Sequence, residues 1–359
     1  MKLVYVSPVP WVSISQRPHF FVKTAIEFGV EEVLWIDPYP SRFPNLGDFV
    51  PGRHAPEPSG ISPLDSVNVI SPGFIIPVEP LPYIFALLNS RRLNYVYSAV
   101  ESFLSGMPST LVIGKPCSLA VELSKQHSWK HICYDAMDDF PSFYHGLSKQ
   151  SMARFENEVV SQSDTVLCSS HALLDKFKNF HTPLLTLNAC VDGLAIYPSR
   201  DSNDTLTFGY IGTIASWFDW GWVIDLAKMN SEATIELIGP LKTVIPQGLP
   251  KNIHIKGAIP HYDIMSTIAK FDVAIIPFLI NDITKYVDPV KYYEYSLARR
   301  PILSTAFGEM CWHHKYVVKD GLGVSYKVPN GTLFFPADHL HNVVPRWSDR
   351  FFSFFKRLI

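Results

Sequence analysis

The sequence predicts an α/β protein built as two successive doubly wound, Rossmann-like domains. Three observations predict it. Short apolar runs of strand length alternate with stretches of helical periodicity, the signature of parallel α/β architecture. The series is interrupted once, between Tyr197 and Thr205, by the polar, turn-rich text PSRDSNDT, and then begins again. The 359 residues are enough for two domains of ordinary size.

The elements of the first half follow in order. Lys2–Ser7 (KLVYVS) reads as a strand, a polar segment with Gln16, Arg17 and His19 follows, and a helix runs near Phe20–Phe28. Glu32–Asp37 (EVLWID) is the second strand, and Tyr95–Ser98, Thr110–Gly114, His131–Tyr134 and Thr165–Cys168 are further strand candidates. Between the last two, Met152, Phe155 and Val159 at helical spacing predict a helix over about Ser148–Ser161. In the second half Leu206–Ile211, Ile235–Ile238, Ile253–Ile255, Val273–Ile276 and Ile302–Ser304 read as strands. Trp222–Met229 and Val290–Ala298 read as helices. The domains expected are therefore 1–197 and 198–340, followed by a C-terminal helix within 341–359. In open α/β sheets ligands bind beyond the carboxyl ends of the strands, so the cleft faced by the two domains is the expected site.

The formal net charge of −2 offers no argument for nucleic-acid binding, and no nucleic-acid partner is expected. The five cysteines are odd in number and form no CxxC pair, which reads as reduced thiols in a cytoplasmic protein. The N-terminus, MKLVYVSPVPW, has too short an apolar core for a signal peptide. The nearest candidate for a spanning helix, Gly73 to Leu88, is broken by Pro77, Glu79, Pro80 and Pro82, so none is expected. The last residues, RWSDRFFSFFKRLI, combine four basic side chains with five large aromatics. This amphipathic helix either docks its aromatic face on the protein or lies on an anionic membrane; terminal helices are commonly tied down, which favours docking.

Chemistry is suggested at three places. In FGYIGT (Phe208–Thr213) a strand enters a turn where Gly212 lets backbone amides approach a phosphate, although such a turn also serves structure alone. In DPVKYYEY (Asp288–Tyr295), Pro289 suits a helix start, and Lys291 and Glu294 share a helix face at i, i+3. They can meet a diphosphate and a ribose diol, or form a surface ion pair. In YDAMDDF (Tyr134–Phe140) three carboxylates crowd a strand end. Such a cluster can bind a metal, raise one member's pKa into the range of a general base, or cap a helix.

The string GYIGTIASWFDWGWVIDLA, IELIGP, LPKNIHIKGAIPHYDI and FDVAIIPFLINDITKYVDPVKYYEYSLARRPILST resembles GT-B glycosyltransferases. It looks most like bacterial teichuronic-acid-type glycosyltransferases and the xanthan glucuronosyltransferase. SQRPHF (Ser15–Phe20), YDAMDDF and LNACVD (Leu187–Asp192) look like further segments of that family. The resemblance implies a cleft between two Rossmann-like domains, no metal and no cofactor beyond a nucleotide-sugar donor, UDP-linked. It implies a glycan or lipid-linked glycan acceptor, a role in bacterial surface polysaccharide synthesis, and a cytoplasmic enzyme, either free or peripheral at the inner face of the membrane. Lys291 matches the position that holds the donor diphosphate, and Glu294 the one that reads the nucleotide or its ribose. Gly212 and Thr213 match the phosphate-side loop, and Ile259 and Pro260 the loop that borders the base. Thr284 and Tyr293 join the donor side, while Arg17 and His19 lie on the acceptor side. The acidic motif matches the region of the base in inverting relatives, with Asp138 chosen over Asp139. Tyr286 stands eight positions before Glu294, where many retaining members carry a glutamate, which favours inversion. The first loop also lacks the family's usual paired glycines. A nucleotide-sugar epimerase and a non-catalytic nucleotide-sugar- or glycan-binding protein are the alternatives. An NAD-dependent dehydrogenase is disfavoured, because no GxGxxG follows the first strand.

Overall fold

The computed structural model describes residues 1–13, 15–44, 64–180, 183–190, 205–315, 326–337, 339–340 and 344–358. The chain forms two compact units. Unit 1 comprises Met1–Ser169, Leu173–Thr186 and Phe351–Ile359, and unit 2 comprises Ser170–Ala172 and Leu187–Arg350. The boundary and linker expected around 197–204 lie outside the described residues.

Unit 1 is built on β1 (Lys2–Val6), β2 (Glu32–Ile36), β3 (Val67–Ile70), β4 (Ser109–Ile113), β5 (His131–Ala136), β6 (Thr165–Cys168) and β7 (Pro183–Leu185). They pair in the order β3-β2-β1-β4-β5-β6-β7, and every pairing is parallel. Helices on both faces bury the central strands completely, which is why β1 and β4 read as continuous apolar runs rather than alternating ones. The helices are α1 (Arg17–Glu27), α2 (Pro82–Leu104), α3 (Ser118–Gln126), α4 (Gly146–Gln162) and α5 (His171–Phe177). Met152, Phe155 and Val159 of α4 are buried, as their spacing predicts.

One strand expectation is wrong. Tyr95–Ser98 lies inside α2. Phe85, Asn89, Leu93, Val96 and Val100 form a buried stripe at helical spacing, and Pro82 at the helix start is tolerated because an N-terminal residue needs no intrahelical N–H bond. The β-propensity of four residues loses to the burial of that stripe.

Unit 2 repeats the plan with β8 (Thr207–Ile211), β9 (Thr234–Ile238), β10 (Ile253–Lys256), β11 (Val273–Ile276), β12 (Ile302–Ser304) and β13 (Leu333–Phe335). The order is β10-β9-β8-β11-β12-β13; only β13 runs antiparallel to its neighbour. Its helices are α6 (Trp220–Met229), α7 (Ile264–Ile268), α8 (Val290–Leu297) and α9 (Gly308–Lys315). In each sheet the strand order reverses once, beside β1 in unit 1 and beside β8 in unit 2. The carboxyl ends of β8 and β11 therefore flank a topological switch point, the usual ligand position in such sheets.

The C-terminal helix α10 (Trp347–Leu358) docks its aromatic face on the protein. Phe351, Phe354 and Phe355 are buried, with ring centroids 4.9, 5.7 and 5.1 Å from that of Phe21 on α1. Cys117, Cys133, Cys168 and Cys190 are buried free thiols, and Cys311 is half-buried. No helix among the described residues is long and apolar enough to cross a membrane.

Candidate active site

The acidic loop leaves the carboxyl end of β5, and its three aspartates have three different fates. Asp135, still within β5, is fully buried. Nε and Nη2 of Arg17 each lie 2.8 Å from its Oδ1, and the Tyr5 hydroxyl donates to Oδ2 at 2.9 Å. Arg17 also donates from Nη1 to the Thr186 carbonyl at 2.7 Å. A carboxylate inside a sheet needs this much compensation, since an uncompensated buried charge is very costly. Asp139 is nearly buried as well. It accepts from the Lys176 ammonium and the Ser142 hydroxyl, and Lys176 also pairs with Glu156, itself bonded to the Tyr134 hydroxyl at 3.1 Å.

Asp138 differs from both. It is half-buried and makes no hydrogen bond or ion pair among the described residues. Desolvation pushes its carboxyl up to about 7, Arg17 opposes that rise and Asp139 adds to it. A carboxyl that titrates near neutrality and is not engaged by the protein can take a proton from a bound hydroxyl. Asp139, the alternative base, is by contrast engaged on both oxygens, by Lys176 and by Ser142.

Arg17 and His19, expected on the acceptor side, are both interior. His19 is only 1% exposed; its Nδ1 accepts from the Gln16 amide at 3.2 Å and its Nε2 lies 3.0 Å from the Trp11 carbonyl, so the ring caps the start of α1. Burial lowers its pKa, in keeping with a neutral ring. Arg17 is 3% exposed and spent on Asp135. The motif SQRPHF is thus a scaffold for the acidic strand. Its long-range partner, 118 positions away, has no local signature.

In unit 2 the structure gathers most donor-side expectations at one sheet edge. Gly212 and Thr213 follow β8, and Ile259 and Pro260 follow β10. Ile259 is half-buried against the core, and Pro260 is exposed. Gly212 has φ +143° and Gly239, which follows β9, has φ +140°. A Cβ at Gly239 would sit 2.2 Å from the Gly212 carbonyl oxygen, so neither turn admits a side chain. The Lys291 side chain lies over Gly212, where a Cβ would meet its Nζ at 2.5 Å. This side chain comes from the first turn of α8 and is half-buried. Its ammonium lies 5.4 and 5.9 Å from the ring centres of Tyr210 and Phe278 and makes no hydrogen bond or ion pair among the described residues. Burial lowers its pKa and Glu294, one turn later on α8, works in the opposite sense. A cation held over a glycine turn beside a helix N-terminus is a ready anion site.

Two donor-side expectations fall elsewhere. Thr284 is buried; its hydroxyl donates to the Leu279 carbonyl and accepts from the Asn281 amide at 3.1 Å, closing the turn after β11. Tyr293 is buried, with its hydroxyl donating to Asp288 at 2.9 Å. Asp288 is the residue that sequence reasoning missed. Its carboxylate also accepts from the Asn188 amide at 2.7 Å and lies 3.0 Å from His313 Nε2. These contacts pin the residue two before α8 and so fix where Lys291 emerges. Its place before Pro289 hints at a turn, but its partners come from far along the chain. Among the described residues no group of three His, Cys, Asp or Glu side chains could hold a metal ion.

No protein-family model matches the sequence, and no curated protein matches it. Solved structures do. A sucrose-phosphate synthase from Thermosynechococcus elongatus is 14% identical with a TM-score of 0.58, covering 99% of this chain and 90% of that one. The lipopolysaccharide outer core galactosyltransferase WaaB is 13% identical with a TM-score of 0.53, covering 99% and 95%. An Escherichia coli trehalose-6-phosphate protein bound with UDP-2-fluoro glucose is 11% identical with a TM-score of 0.53, covering 88% and 87%. These neighbours are GT-B glycosyltransferases, and this chain has their fold: two α/β units, each on a largely parallel sheet.

Proposed function

We propose that the protein transfers a sugar from a nucleotide-sugar donor, UDP-linked, to a glycan or lipid-linked glycan acceptor, with inversion and without a metal ion. The observation that carries the reading is the Lys291 ammonium, half-buried over the Gly212 turn and in no hydrogen bond or ion pair among the described residues. A donor diphosphate supplies an anion for it. The structural neighbour bound with UDP-2-fluoro glucose supports a UDP donor, and the one named as an outer core galactosyltransferase supports a role in surface polysaccharide synthesis.

Each group then has one task. The acceptor hydroxyl gives its proton to the Asp138 carboxylate, and its oxygen attacks the anomeric carbon. The bond from that carbon to the diphosphate oxygen breaks, and the leaving nucleoside diphosphate keeps the electron pair. Lys291 and the amides around Gly212 and Thr213 stabilise the charge that develops there. Glu294 suits the ribose hydroxyls as an acceptor of hydrogen bonds. The half-buried Asp138 carboxyl, without a hydrogen bond or ion pair among the described residues, supports transfer over a pure binding role.

Calorimetric titration with UDP-glucose, UDP-galactose and UDP-glucuronic acid tests donor binding, and NMR of the product anomer tests inversion. A donor at 100 times its dissociation constant raises stability by about 2.7 kcal/mol. Absence of binding for every nucleotide sugar, with the parental protein folded, rejects the reading. Donor turnover without an acceptor selects the epimerase instead.

A further inference from the structure

We propose that the outward face of α2 is a membrane-docking surface that seats unit 1 on the anionic headgroups of a bilayer. The helix is 23 residues long, yet only the narrow stripe of Phe85, Asn89, Leu93, Val96 and Val100 is buried. On the side away from that stripe its first turns present Tyr83 at 90% exposure, Ile84 at 47%, Leu87 at 76% and Leu88 at 51%. Phe74, in the segment before the helix, is exposed as well. The neighbouring Gly73 backbone lies against the Arg92 guanidinium. Contiguous exposed apolar surface of this kind marks an interaction site, not an ordinary solvated helix.

The charges say what covers it. Arg91 and Arg92 follow the apolar turns directly, are exposed, and have no hydrogen bond or ion pair among the described residues. No acidic residue occurs in α2 before Glu101. A bilayer satisfies both halves at once: acyl chains take the apolar side chains and lipid phosphates take the guanidinium groups. Tyr83 and Tyr95 are of the type that sits at the headgroup level. A second copy of the chain fits less well. A two-fold contact of this face with itself would press each arginine pair against the other copy's apolar turns or arginines, with no carboxylate to receive them. The arginines in mid-helix also make α2 a helix that lies on a membrane and does not cross it. The contrast with α10 is direct. That helix is likewise aromatic and basic, but Phe351, Phe354 and Phe355 are consumed inside unit 1.

The test is cosedimentation of the full chain with vesicles, which reads the surface without any nucleotide sugar. The parental protein is expected to bind vesicles containing phosphatidylglycerol, to bind pure phosphatidylcholine far less, and to be released by high salt. Arg91→Ala with Arg92→Ala should weaken binding about 30-fold. Tyr83→Ser with Leu87→Ser should weaken it more than about tenfold. All four side chains are exposed, so melting temperatures should stay near parental. Phe352→Ser, on the exposed side of α10, should bind as the parent does. Failure of the parent to bind anionic vesicles overturns the proposal, and so do α2 variants that bind normally or a Phe352 variant that loses binding. A parental dimer that the α2 substitutions dissolve in analytical ultracentrifugation overturns it too, by making this face a self-interface.

Discussion

The acidic loop of unit 1 and the glycine–lysine edge of unit 2 both lie at the carboxyl end of a parallel sheet, yet they leave opposite charges unpaired. Around β5 the protein neutralises two of three neighbouring aspartates from a distance, Asp135 with Arg17 and Asp139 with Lys176, and leaves Asp138 alone. At the end of β8 it stations Lys291 over Gly212 with aromatic rings for company. Charges withdrawn from water are ordinarily paired. Where the fold has partners at hand and still withholds one, that charge is available to a ligand. The first leaves a carboxyl and the second an ammonium without a hydrogen bond or ion pair among the described residues, and the proposed transfer from a diphosphate to a hydroxyl would use one of each.

The sharpest way to break this comparison is Asp138→Asn. Turnover is expected to fall about 10²–10⁴-fold, the usual share of a positioned base, while donor affinity measured by calorimetry barely changes. In the parent the rate should rise with pH through an ionisation near 7, because the deprotonated carboxylate is the active form; the variant should lose that limb. Stability carries the opposite sign. The folded-state pKa of Asp138 is raised, so its contribution is fully present at acid pH and is lost as pH rises through about 7. Asp138→Asn should therefore melt above the parent at pH 8, an advantage that disappears near pH 4. A variant that turns over normally moves the base elsewhere in unit 1.

Arg17→Ala probes the paired side of the same loop. Leaving Asp135 buried without its cation should cost about 3–5 kcal/mol, read by denaturant unfolding. A loss below 1 kcal/mol would mean that the strand tolerates the bare carboxylate, and the distinction between paired and unpaired aspartates would lose its force.

For unit 2 the corresponding change is Lys291→Ala. Donor affinity should drop about 10–100-fold, the worth of one charge-assisted contact, with the fold intact. Unchanged affinity would remove the anion site from α8. The smallest effect is expected from Asp139→Asn. Lys176 keeps Glu156, so stability should fall by only about 1–2 kcal/mol and the pH profile should keep its limb near 7. Should this variant lose turnover while Asp138→Asn retains it, the roles of the two neighbours are exchanged.

Legibility followed the range of the interactions involved. Central strands such as β4, β6, β8 and β11 read as apolar runs because they are buried throughout, whereas the shorter or more exposed β3, β7 and β13 carry too little apolar pattern and are missed. The Gly212 turn and the Lys291–Glu294 helix face are local patterns, readable within a few residues. Tyr95–Ser98 was misread as a strand because its side chains have strand propensity, while the stripe that makes it helical extends over Phe85 to Val100. Arg17, His19, Thr284 and Tyr293 were placed near substrates by their motifs, yet the fold consumes them as scaffold through bonds to Asp135, Trp11, Leu279 and Asp288.

By itself the sequence determined the alternation of strands and helices, the two-unit plan, and which short segments hold charge at strand ends and helix starts. All of these depend on residue type and spacing, which chain-local sterics and burial convert into structure. Only the tertiary structure decided which charges are neutralised and which aromatic faces are covered. Asp138 and Asp139 are indistinguishable as neighbours in a motif, and α2 and α10 are both apolar helices with basic residues. Their difference lies in what engages them: Lys176 bonds to Asp139 while Asp138 has no hydrogen bond or ion pair among the described residues, and Phe21 lies beneath α10 while the outer face of α2 stays in solvent. Ionisation and desolvation energies depend on every group within several ångströms, and the chain that supplies those groups comes from distant positions.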